Sequence, residues 1–216
     1  MLLTDIFKAV SVWSILLPFV GGVILFRKLN NDSKIILLIV AVGIVPQVLG
    51  NWILQTETFK NITYNLYSPF EFICYAILFH NKYSSSKLNL FFKATLLFFS
   101  LISLLLLFNN NISTLFLNQW LISSNLIQVI WVGMYLVQLY LNDDLSFEPS
   151  DPFFWYLIAI LCYASTTTVF YSLWYVIKSN AFVEFNFVKI IHHIFNISLY
   201  SLFFVGILKN NIKTKS

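Results

Sequence analysis

Glu71 is the one carboxylate that falls inside an apolar run of this chain, and the other acids lie at run ends or in loops. An ionisable group at a bilayer centre costs at least ~2.5 kcal/mol on insertion scales, so it has a partner or a task. The chemistry open to such a group is exchange of a proton or capture of a polar ligand. Tyr64, Tyr67 and Tyr75 recur around it at steps of three and four residues, which places all four side chains on one helical face. In the last run, Lys189, His192, His193, Asn196 and Tyr200 form a second polar stripe. A carboxylate and an imidazole at similar depth can hold a ligand or respond to protons near physiological pH.

Further polar positions extend this set. Ser124, Gln128, Trp131, Tyr135 and Gln138 share a face, with Asn125 beside it. Gln47 and Asn51 lie one turn apart, and Tyr163 precedes the run Ser165-Thr166-Thr167-Thr168. Polar side chains in hydrocarbon turn toward the interior of a helix bundle. The candidate ligand-binding residues are therefore Glu71, His192, His193, Asn196, Tyr67, Tyr64, Gln128, Asn125, Tyr163, Gln47 and Asn51. Gln138 and Thr166 to Thr168 read as interhelical packing, and Trp120, Trp174 and Tyr175 as an interfacial aromatic belt.

The elements that must position these residues follow from composition. The chain is 59% hydrophobic and 10% charged, with mean hydropathy +0.80. Soluble domains carry about 25% charged residues. The expectation is a single all-α integral membrane domain over residues 1–216, with helices near 9–26, 35–54, 62–80, 90–108, 117–141, 153–177 and 185–208. Each is close to the ~20 residues that cross a bilayer. The first run ends in Phe26-Arg27-Lys28 with no small-residue cleavage site, and reads as a retained helix. Cys74 and Cys162 lie inside apolar runs and read as small core residues. The net charge of +4 comes from lysines flanking the runs and does not point to nucleic acid, so no nucleic-acid partner is expected.

Those lysines set the expected orientation. With the N-terminus outside, inner segments hold Arg27, Lys28, Lys34, Lys82, Lys87, Lys209, Lys213 and Lys215, against Lys8, Lys60 and Lys178 outside. Excess positive charge marks the cytoplasmic side, so the expectation is N-out and C-in. The acidic loop Asp143, Asp144, Glu148 and Asp151 falls on the inner side and reads as a solvated turn. On this topology the polar residues crowd the outer halves of the helices, Glu71 lies near the middle, and the inner halves are mostly Leu, Ile and Phe. The expected object is a seven-helix bundle with a cavity opening outward, floored near Glu71 and closed toward the cytoplasm.

Three stretches carry a resemblance. Asn65-Leu-Tyr-Ser-Pro-Phe-Glu71-Phe, Asp151-Pro-Phe-Phe-Trp155 through Tyr163, and Ile191-His192-His193-Ile-Phe-Asn196-Ile resemble motifs of a bacterial, Bacteroidota-type seven-transmembrane-helix family with no assigned biochemical activity. Its members are often encoded near two-component sensor kinases. The matching positions are Tyr67, Glu71, Trp155, Tyr163, His192 and Asn196. The chain departs from the family at Ser165-Thr166 and near Val188 and Lys189. The resemblance implies an association with signalling.

Three function classes follow. The first is a receptor or accessory sensor that passes a signal to a separate membrane partner such as a sensor kinase, with a small-molecule ligand at Glu71 and His192. The second is a small-solute or proton-coupled transporter, with Pro46 and Pro69 breaking two helices, although the chain has no internal repeat. The third is an intramembrane enzyme such as a lipid hydrolase. The adjacent His192 and His193 diverge by about 100° on a helix, a poor arrangement for one metal, so no cofactor is expected. A retinal pigment is disfavoured because Lys189 sits only one turn inside its helix and the third helix lacks Arg. The reading favours a receptor or sensor in a bacterial inner membrane, non-enzymatic, with the lipid bilayer as its first partner.

Overall fold

A computed structural model describes residues 2–54, 56–80, 82–83, 86–109, 118–141, 148–179 and 185–213. Of the described residues 94% are helical, and none is in a strand. Helices α1 (Leu2–Ser14) and α2 (Leu16–Ile24) form one rod interrupted at Ile15. Pro18 explains the interruption: it has no N–H, and its ring crowds the carbonyl four residues back, at Ser14. A short 3₁₀ turn, Phe26–Lys28, leads to α3 (Asn31–Ile44). Asn30 caps α3, its side-chain oxygen accepting from the Ser33 N–H at 2.8 Å.

The expected second helix is not one α-helix. After Ile44 the chain widens into a π-helical stretch, Val45–Leu54. Pro46, which cannot donate to the α ladder, stands at its start, and the wider turn accommodates it. Then come α4 (Glu57–His80), with Pro69 inside it, α5 (Ser86–Asn109), α6 (Asn118–Leu141), α7 (Pro152–Ser179) and α8 (Phe185–Lys213). The start of α7 is locally encoded. Asp151 Oδ1 accepts from the Phe153 N–H at 3.4 Å, Pro152 takes the first helical position, and the Trp155 indole donates to the Pro149 carbonyl at 2.8 Å.

Among the described residues six helices are long and apolar enough to cross a membrane: Leu3–Ile24, Asn31–Gly50, Ser86–Leu105, Gln119–Leu141, Pro152–Leu173 and Phe187–Asn210. This is consistent with a multi-pass membrane protein. The remaining long helix, α4, has the length but not the composition, because Glu57, Lys60, Asn61, Asn65 and Glu71 dilute its apolar residues.

Helix α8 packs along α7 and against α1 and α2, α6 packs on α7, and α5 rests on α6 and α4. The centre between α4, α5 and α6 is aromatic. Phe72 lies 4.0 Å from Phe99 and 5.0 Å from Trp131, centroid to centroid, and Trp131 donates to Thr95 at 2.9 Å. Close approach of α7 and α8 depends on Gly206, whose missing side chain is replaced by the Tyr156 ring. Helix α5 is the least covered of the six and turns Leu90, Leu97, Phe98, Leu101 and Leu105 outward.

One end of the bundle is tied by a polar network. Ser33 and Tyr156 share a hydrogen bond of 2.5 Å, Asn210 donates to Ser33 Oγ, and Asn210 Oδ1 accepts from the Asn30 N–H at 3.3 Å. Beside it, Lys82 meets Asp32 at 2.6 Å and lies 4.2 Å from the Phe153 ring centroid. Gln138 donates to the Lys82 carbonyl at 3.0 Å, and the Tyr83 hydroxyl to the Trp131 carbonyl at 2.9 Å. The partners are far apart in sequence and leave no periodic trace.

Trp120 also departs from expectation. It is buried against Phe99, 6.3 Å away, rather than exposed in an interfacial belt. The approach of α5 to the first turn of α6 covers it. The side chains of Trp174 and Tyr175 lie outside the described residues.

Candidate functional site

The carboxylate of Glu71 is buried in the middle of α4. The helical repeat places Tyr67 one turn before it and Tyr75 one turn after it, and both phenols reach it. Tyr67 and Tyr75 each donate to Glu71 Oε1, both at 3.3 Å. Oε2 accepts no hydrogen bond among the described residues. The ion pair between Lys82 and Asp32 is at the end of the bundle and does not involve Glu71.

Phenols from two other helices face the same carboxylate. Tyr163 of α7 and Tyr200 of α8 lie within its electrostatic reach, and Gln47 of the π-helical stretch adjoins Tyr200. Tyr64 lies close enough to Tyr163, Tyr171 and Tyr200 to interact with them. The position of Tyr67 depends on Gly43: a Cβ there would stand 3.0 Å from the Tyr67 hydroxyl. The α3 backbone thus comes within van der Waals range of the Glu71 cluster only because residue 43 has no side chain. The structure therefore gathers Glu71, Tyr67, Tyr64, Tyr163 and Gln47 of the expected residues, and adds Tyr75 and Tyr200 as neighbours of the acid.

His192 belongs to an adjoining aromatic group. Its ring stacks on Phe170 at 4.7 Å and 15°, with Tyr171 edge-on at 5.9 Å and Tyr163 at 6.3 Å. Its Nδ1 is buried without a hydrogen-bond partner. No bond joins it to Glu71 among the described residues, so the two expected partners are neighbours of Tyr163 rather than of each other. A flat imidazole packs well on the Phe170 face, and that packing sets its direction.

The other expected residues take separate places. His193 is 6.0 Å from His192 but lies in the field of Lys8 and Lys189. Asn196 donates to Ser11 Oγ at 2.7 Å, joining α8 to α1, while its Oδ1 has no partner. Asn125 and Gln128 are buried on α6 and make no bond to the Glu71 group among the described residues. The Asn51 side chain lies outside the described residues. Thr166 and Thr168 bond the carbonyls of Cys162 and Ala164, four residues back, so these hydroxyls are satisfied within α7 rather than across helices.

The donor set limits the chemistry. No group of three His, Cys, Asp or Glu residues able to hold a metal ion occurs among the described residues. What the geometry offers is one acid with a free oxygen, ringed by hydroxyl donors and π faces. Such a site can hold a proton or a cationic or hydrogen-bonding group. Comparison with family models, with curated proteins and with solved structures found no match.

Proposed function

We propose that the protein is a seven-helix receptor or accessory sensor of a bacterial inner membrane, and that Glu71 is where it reads its ligand or proton. The observation that carries this is the half-satisfied carboxylate, with both hydrogen bonds on Oε1 and Oε2 left open inside the bundle. A buried charged or polar group with spare capacity favours any ligand that completes it.

The asymmetry of the bundle supports the same reading. The end holding Asn30, Asp32, Lys82, Tyr156 and Asn210 is laced shut, and Glu71, Tyr64, Gln47 and His192 lie away from it. On an N-out orientation the laced end faces the cytoplasm and the polar half faces outward. The count of seven rests on α4. Its start lies beside the π-helical stretch, with Lys60 and Thr63 against Gly50, and its end reaches the start of α3 through Lys82 and Asp32. These contacts at its two ends support α4 as the seventh span. The likeness of the Glu71, Trp155 and His192 stretches to the bacterial seven-helix family adds a separate sensor kinase as the partner.

Native mass spectrometry of the detergent-purified protein, wild type beside Glu71→Gln, tests the reading. A small molecule that co-purifies with wild type and is lost in the variant is the expected result. Cellular responses unchanged by both Glu71→Gln and His192→Ala would overturn it.

A transporter is the second reading, and one observation favours it: the π-helical stretch at Pro46 adjoins the site, although α4 continues through Pro69 without the expected break. Broken helices near the midplane are where secondary transporters bind. Uptake of labelled solutes into proteoliposomes, driven by a proton gradient and abolished in Glu71→Gln, separates this reading from the first.

A further inference from the structure

A groove of about 240 Å³ lies on the opposite side of α4, between α4, α5 and α6. Pro69, Phe72, Phe99, Ser103, Leu104 and Trp120 line it. Its volume is below the ~300–1,000 Å³ of drug-sized pockets, and its walls are almost wholly apolar. Ile73 and Leu104, also at its edge, point outward with the exposed leucines of α5, so the groove opens sideways onto the apolar surface of the bundle.

Two lining residues have a polar atom with nothing to bond. The Trp120 indole N–H and the Ser103 hydroxyl are buried without a partner, and both residues are more than nine-tenths buried. This is unusual for each. Two other hydroxyls of α5, those of Thr95 and Ser100, bond carbonyls three or four residues back. Indole N–H groups at Trp131 and Trp155 are also paired. A buried donor without an acceptor is costly, and the cost is recovered when an acceptor arrives. Such an acceptor has no protein hydrogen bond to displace.

Depth identifies the acceptor. Trp120 is in the first turn of α6, and Ser103 is in the last third of α5, near the same end. That is the level of a membrane where apolar chains meet their polar linkage, and where tryptophan N–H groups find partners. We infer that the α4–α5–α6 groove holds one acyl chain of a membrane phospholipid, with its ester carbonyl accepting from Trp120 and Ser103. Phe72 connects the two sites: it lines the groove, packs against Phe99 with its ring tilted, and directly follows Glu71 along α4. The lipid therefore braces the helix that carries the acid. The groove and its occupant do not depend on whether Glu71 reads a ligand.

The test uses the full chain in nanodiscs of phosphatidylethanolamine doped with an analogue carrying a photoactivatable group midway along one acyl chain. Irradiation and peptide mapping are expected to place the crosslink on residues 69–73 and 99–104. Ile73→Trp, which fills the mouth of the groove from an exposed position, is expected to lower that yield about ten-fold. Trp120→Phe and Ser103→Ala each remove one donor and are expected to weaken lipid retention on stepwise detergent washing by about three- to ten-fold. Ser103→Ala serves if Trp120→Phe fails to fold. Crosslinks spread evenly over the exposed faces of α5 and α6, or a yield unaffected by Ile73→Trp, would overturn the site. Retention unchanged in both donor variants would overturn the carbonyl contact, and with it the assignment of an ester lipid.

Discussion

Tyr67 donates to Glu71 across one turn of α4, and Tyr75 donates to the same oxygen from the next turn. The three side chains form a column on one helix, so the acid keeps these partners through any rigid movement of α4. What such a movement changes is the set of groups facing the column from elsewhere: Tyr163, Tyr200 and Gln47. A ligand shifts the bundle only by preferring one of those arrangements to another.

Glu71→Gln retains a carbonyl oxygen that accepts from both phenols. It is expected to shift the midpoint of thermal unfolding in detergent by less than about 4 °C while abolishing ligand retention. Glu71→Ala strands both hydroxyls and is expected to cost about 1–3 kcal/mol. Equal stability of the two variants would show that the phenols do not depend on the oxygen.

Gly43 and Gly206 separate function from packing. A Cβ at position 43 would stand 3.0 Å from the Tyr67 hydroxyl and 3.1 Å from Ile15 Cδ1, so the phenol must yield by a few tenths of an ångström. Gly43→Ala is expected to weaken ligand retention as Tyr67→Phe does, with a small loss of stability. At position 206 a Cβ falls within the Tyr156 ring. Gly206→Ala is expected to destabilise by about 1–3 kcal/mol through overpacking, as read by thermal unfolding.

The laced end of the bundle predicts an ordering of costs. Asn210→Ala leaves Ser33 and the Asn30 N–H each short of a partner and is expected to cost about 1–3 kcal/mol. Tyr156→Phe removes one hydroxyl while Asn210 still serves Ser33, and is expected to cost about 1 kcal/mol. The double variant should be non-additive, because the residues share Ser33. Lys82 and Asp32 are each a quarter exposed, so Asp32→Asn is expected to cost under about 1 kcal/mol. A larger loss for Asp32→Asn than for Asn210→Ala would place the closure in the ion pair instead.

The column around Glu71 was legible because it is local: i and i+4 on a helix determine who meets whom, whatever the tertiary structure. The apolar runs were legible for a similar reason, and the helices found differ from them mainly at their ends and at the proline sites. The π-helical stretch was not, since Pro46 signals an irregularity but not its form. Nor was the bond from Asn210 to Ser33, whose partners are 177 positions apart. His192 and Glu71 share a depth, yet Phe170 competes for the imidazole face, and sequence spacing holds no information on that competition. Trp120 misled because position near a helix end says nothing of whether a neighbouring helix covers it.

The path of α4 gives the last prediction. Its apolar content alone does not make it a membrane span, but its contacts run from Gly50 at its start to Asp32 at its end. A chain in which α4 crosses has Lys60 and Lys87 on opposite faces of the membrane. A chain in which it does not has them on the same face. With Cys74 and Cys162 replaced by alanine, single cysteines at Lys8, Lys28, Lys60 and Lys87 can be labelled with an impermeant maleimide in intact spheroplasts. The positions at Lys8 and Lys60 are expected to react from outside, and those at Lys28 and Lys87 only after lysis. Reaction of Lys60→Cys and Lys87→Cys from the same side would reduce the count to six and place Glu71 outside the hydrocarbon. Its burial would then belong to a re-entrant polar segment, and the cost of a carboxylate at the bilayer centre would no longer apply. Reaction of all four positions with sides exchanged would keep the seven helices and invert the protein, turning the laced end outward and the polar half toward the cytoplasm.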